Sequence, residues 1–88
     1  MDKTFTFIED PGHGWLKVHT SDLWALGFGV TDFSQYSYRT ASGKTLYLEE
    51  DCDAPKFINA WKAKFGEKSI RLEERYVNRF NRRLPSIY

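Results

Sequence analysis

The chain has 88 residues, a formal charge of +1, and 41% hydrophobic and 17% aromatic side chains. That length suits one domain, and the aromatic content excludes a disordered polar tract. A lone cysteine, Cys52, excludes an intramolecular disulfide, and no stretch nears the roughly 18 apolar residues of a membrane span.

Thr4-Phe5-Thr6-Phe7 alternates and predicts a first strand with both phenylalanines on one face. Asp10-Pro11-Gly12-His13-Gly14 ends it, with Pro11 and Gly12 suited to the centre of a type II turn. Gly14–His19 alternates again, with Leu16 and Val18 inward and Trp15 and Lys17 outward. Thr20 or Ser21 is the expected N-cap of a short helix through about Leu26, ended by Gly27 and Gly29.

A third strand is expected near Gln35–Thr40, with Tyr36 and Tyr38 on one face, and a hairpin tip at Ser42-Gly43. Lys44–Glu49 returns with Leu46 and Leu48 inward. Ala54–Phe65 carries an apolar stripe of Phe57, Ile58, Trp61 and Phe65, the signature of a helix against a core. Pro55 fits its first turn, Asp51 or Asp53 its N-terminal charge, and Gly66 its C-terminal stop. Lys68–Tyr76 reads as the last strand, with Ile70 and Leu72 inward and Arg71, Glu73 and Arg75 outward. The expected fold is thus α+β, in the order β-β-α-β-β-α-β, with a mostly antiparallel sheet and both helices on one face. Without its first strand this is the ferredoxin-like order. Residues 1–77 form the expected domain and 78–88 a basic, aromatic C-terminal arm.

Charge is uneven. Residues 1–55 hold four basic and nine acidic side chains, and residues 56–88 hold nine basic and three acidic. Such a division can orient an encounter with a partner, unless the halves interleave in space.

Three groups of residues could carry function. Glu49, Glu50, Asp51 and Asp53 could offer oxygen ligands, but alternation sends strand residues to opposite faces, and carboxylates at a helix N-terminus are explained by the macrodipole. Cys52 with His13 or His19 could pair, but a thiolate there would face four carboxylates, and no third orienting group is evident. A small metal- or thiol-dependent enzyme using His13 and Cys52 is the least favoured reading, so no catalytic residue, metal or cofactor is assigned. The outward sheet face is the strongest group. Trp15, Lys17, Tyr47 and Arg71, joined by Arg79, Arg82 and Arg83 of the arm, would suit a protein hot spot or stacked nucleic-acid bases. The plain alternative is a second small core, with the arm folded over those rings. Monomer and homodimer both remain open.

Asp10-Pro11-Gly12-His13-Gly14-Trp15-Leu16-Lys17-Val18 and Tyr47-Leu48-Glu49-Glu50-Asp51-Cys52-Asp53-Ala54-Pro55 resemble blocks in a family of small uncharacterised proteins of bacteriophages and other mobile elements. The resemblance implies the cytoplasm of a bacterial host cell and an accessory role, such as inhibiting a host-defence complex. It assigns no residue a role. The leading expectation is a non-enzymatic accessory protein that binds a bacterial protein or ribonucleoprotein complex. The alternative is weakly specific nucleic-acid binding. Truncation after Val77 is expected to weaken binding and spare the fold.

Overall fold

The computed structural model describes residues 2–80 and 83–86. Its elements are β1 (Lys3–Glu9), β2 (Gly14–His19), α1 (Thr20–Ala25), a 3-10 turn (Val30–Asp32), β3 (Tyr38–Arg39), β4 (Thr45–Glu49), α2 (Asp53–Phe65) and β5 (Ile70–Tyr76). The α+β class and the expected succession of strands and helices hold.

The five strands form one sheet in the order β3-β4-β2-β1-β5. Every neighbouring pair is antiparallel except β1 and β5, which run parallel. This departs from the ferredoxin-like order, in which the strand after the second helix lies beside the first strand of the split βαβ unit. Here β1 is inserted between β2 and β5. The reason lies in the β1–β2 hairpin, which places β1 on the free side of β2 before α2 returns the chain to the sheet.

Alternation along the strands gives the sheet two unlike faces. Phe5, Leu16, Val18, Leu46 and Leu48 point to one face and are buried there with Leu23 of α1 and Phe57 and Trp61 of α2. Both helices therefore cover the same face. Phe5 meets Phe57 and Trp61 edge-on, with ring centroids 5.3 and 5.1 Å apart, a favoured aromatic geometry. Leu72 shares that face in register with Phe5, yet it is 43% exposed because β5 is the edge strand.

Polar contacts correct several local expectations. Gly12 does not adopt a positive φ, so the β1–β2 connection is not a type II turn. The Asp10 carboxylate instead accepts the Gly12 and His13 amides, both at 2.9 Å. Gly14 leaves room for a neighbouring ring: a Cβ there would lie 2.6 Å from Cζ of Phe7, which would have to shift. The N-cap of α1 is His19, one residue before the expected Thr20. Asp22, in the first turn, accepts the His19 amide at 2.9 Å and pairs with Lys3 at 2.5 Å.

The third strand is much shorter than Gln35–Thr40. One Asp53 oxygen accepts the Ser34 amide at 2.9 Å, the Ser34 hydroxyl at 2.7 Å and the Ser37 hydroxyl at 2.5 Å. Residues 34–37 are thereby held against the start of α2 instead of extending the sheet. Of the two carboxylates expected at the start of α2, Asp53 lies in its first turn and Asp51 precedes it, while the amides leading into the helix go to Glu49. Its carboxylate accepts the amides of Asp51, Cys52 and Asp53 at 2.7–2.8 Å. At the other end Gly66 takes φ 109°, where a side chain would be strained.

Asp53→Ala removes the shared acceptor of two serines, so urea unfolding should show a loss of about 2–4 kcal/mol. Asp51→Ala, at an exposed site, should stay within about 0.5 kcal/mol. Equal effects would mean that the buried carboxylate does not organise this end of the sheet.

Candidate functional site: an aromatic and acidic cleft

The face away from the helices carries the side chains expected to point outward. Lys17 stands opposite Tyr47, Arg71 opposite Thr4, and Arg75 opposite Ile8, which is itself opposite Trp15. Trp15 is nonetheless only 3% exposed. The chain leaving β5 turns over this face and lays Phe80 on Trp15, with ring centroids 4.0 Å apart and planes 16° apart. Tyr47 meets Phe80 edge-on at 5.2 Å, and Tyr38 leans on it at 5.8 Å.

Backbone contacts hold this strap at three places. The Val77 amide donates to the Glu9 carbonyl at 2.8 Å, extending the β1–β5 ladder by one bond. The Phe80 amide donates to Asp10 at 3.4 Å. Beyond the masking ring, the Arg39 amide donates to the Pro85 carbonyl at 2.9 Å, and Ser86 bridges to Tyr38 at the β3 edge. The stretch that sequence reading sets apart at residue 77 thus gives the domain a buried ring. Trp15 is a core residue of this second cluster and not an open anchor, because a large ring on a sheet face is best satisfied by another ring.

The other expected binding residues are spread out. Lys17, Arg71, Arg79 and Arg83 are exposed, Tyr47 is half-buried, and Arg82 lies outside the described residues. Lys17 and Arg71 sit two strands apart with β1 between them. Lys17 is the cross-strand neighbour of Tyr47, while Arg71 lies on the far edge strand.

A different set does converge. The Asp10–Gly14 turn, residues 34–38 and the link from β4 to α2 enclose a cleft of about 470 Å³ at one end of the sheet. Tyr36 and Tyr38 supply aromatic wall beside the buried Trp15, while Glu49, Glu50 and Asp51 supply carboxylates, with His13 and Cys52 on the rim. Among the described residues, no lysine or arginine lines it. Glu49 is occupied in capping α2, which leaves Glu50 and Asp51 as the acidic groups facing the opening. His13 Nδ1 lies 3.9 Å from Glu50 Oε1, beyond hydrogen-bond reach, so that carboxylate keeps acceptor capacity. Tyr36 is 69% exposed and stands at the mouth.

Cleft and sequence blocks coincide: the turn comes from the first block, and Glu49, Glu50, Asp51 and Cys52 from the second. What sequence reading missed is that Tyr36 and Ser34 belong with them. The Asp53–serine contacts, made across 16 and 19 residues, and the Glu49 amide on the Ser37 hydroxyl bring those positions together. Among the described residues, no three His, Cys, Asp or Glu side chains are placed to share a metal ion. No family model, curated protein or solved structure matches the chain.

Phe80→Ala should cost about 3 kcal/mol by uncovering Trp15, and the protein should show a red-shifted tryptophan emission while still folded. Truncation after Val77 should do at least as much. An unchanged melting temperature in both would show that the strap does not contribute to the domain.

Proposed function

We propose that this chain is a non-enzymatic binding protein whose cleft receives a basic side chain from a partner protein. The supporting observation is the composition of the cleft: aromatic wall, carboxylates at Glu50 and Asp51, and no lysine or arginine among the described lining residues. A guanidinium or ammonium group gains from ring faces and from charge-assisted hydrogen bonds to carboxylate, and arginine can do both at once. Phosphate would meet carboxylates of its own sign. Trp15, one of the rings expected to stack on bases, is stacked on Phe80 instead.

In the setting that the two sequence blocks imply, the partner is a bacterial protein or ribonucleoprotein complex. The chain then acts as a phage-type accessory protein in the host cytoplasm, with a host-defence complex as its target. A small cleft supplies one anchor, and the exposed Lys17, Arg71, Arg79 and Arg83 lie outside it to steer or reject partners by charge.

Calorimetric titration with a short neutral peptide carrying one arginine tests this reading, with citrulline and glutamate versions as controls. Binding should be confined to the arginine peptide and should weaken with salt, because Glu50 and Asp51 lie near the surface. The double variant Glu50→Gln/Asp51→Asn should lower the affinity by about tenfold, or 1.4 kcal/mol. Equal binding of the citrulline peptide, or no effect of the double variant, would overturn the assignment.

A further inference from the structure

The two edges of the sheet are unequal. The β3 edge is met by Pro85 and Ser86. The β5 edge has no strand beside it among the described residues, and it is seven residues long. Lys3 donates its amide to the Ser69 carbonyl, and Val77 donates to the Glu9 carbonyl. In a parallel ladder these two bonds fix which residues face β1: those at odd positions from 69 to 77. The amides and carbonyls of Ile70, Leu72, Glu74 and Tyr76 therefore point out from the edge.

The side chains of the same residues lie on the helix face, where Leu72 is 43% and Tyr76 63% exposed. Arg71, Glu73 and Arg75 alternate on the other face, and none has an ion-pair partner among the described residues. An unpaired edge of this length is a template for another strand. Net charge of +1 gives little repulsion between copies.

We infer that β5 pairs antiparallel with β5 of a second copy of this chain, joining two sheets across a two-fold axis at Leu72. The charge pattern selects that register. Centring the axis on Glu73 sets Glu73 against itself and Arg71 against Arg75. Centring it on Glu74 sets two carboxylates together. Centring it on Leu72 places Arg71 opposite Glu73 twice on one face. On the other, Leu72 meets Leu72 and Ile70 meets Glu74, while Lys68 falls opposite the Tyr76 ring. No like charges face each other, and the outward amides and carbonyls of both copies coincide. Directly opposed pairs are the unit of sheet stabilisation, so sequence complementarity of this kind sets both partner and register. The surface is separate from the cleft, and the pairing does not depend on what the cleft binds.

Sedimentation equilibrium of the full chain tests the pairing across a wide concentration range. The wild type should show a monomer–dimer equilibrium. Arg71→Glu and Glu73→Arg should each weaken it on the order of tenfold, since each sets like charges opposite twice. The combined Arg71→Glu/Glu73→Arg variant should restore the wild-type constant. Leu72→Pro, which removes an outward amide and leaves the β1 ladder intact, should be monomeric and folded by circular dichroism. A wild type that stays monomeric throughout, or a charge swap that the double variant does not rescue, would overturn the proposal.

Discussion

One oxygen of Asp53 accepts three hydrogen bonds from Ser34 and Ser37, and the shape of the cleft end of the molecule depends on it. Ser37 is fully buried, and its hydroxyl oxygen also accepts the Glu49 amide at 3.0 Å. The same Glu49 caps α2 with its carboxylate. Helix start, β4 end and the segment before β3 are thus tied by one connected polar network in a largely apolar surrounding. Such a network is worth having only when every member is satisfied, and no described buried side-chain polar atom lacks a partner. Its consequence is shape. Tyr36 and Tyr38 are held beside Trp15, and the carboxylates after β4 are held opposite them.

The sheet supplies the second constraint. With both helices on one face, the other face must be wetted or covered. Its chemistry divides along the strands: Thr4, Lys17 and His19 are exposed at one end, while Trp15 and Tyr38 meet at the other. The strap covers only the aromatic end. Asp10 links the two devices, since its carboxylate holds the β1–β2 turn and also accepts from Phe80. The turn that forms one wall of the cleft is consequently braced by the segment that closes the aromatic cluster.

How much of this was legible in sequence follows from the range of each interaction. The strands β1, β2 and β4 and the stripe on α2 declare themselves, because alternation and 3.6-residue periodicity are local. Gly66 and the outward set of Trp15, Lys17, Tyr47 and Arg71 were legible for the same reason. The short β3 was not, since Tyr36 and Tyr38 alternate as a strand would and only the distant Asp53 bends the chain away. Nor was the position of β1, because a hairpin can lie on either side of its neighbour until β5 takes the remaining place. Phe80 sits among arginines and asparagines in a stretch without periodicity, and its pairing with Trp15 spans 65 residues of chain that carry no local signal.

The cleft is where the proposed function rests: long-range polar bonds and an aromatic strap fix its two walls, and its carboxylates are the basis of the proposed preference for a cation. The most direct measurement is amide chemical-shift mapping of the labelled protein with N-acetyl-arginine amide. The account predicts shifts clustered at His13–Trp15, Tyr36–Tyr38 and Glu49–Cys52, with β5 and α1 unchanged. Shifts scattered over the surface, or centred on Lys17 and Arg71 instead, would contradict it.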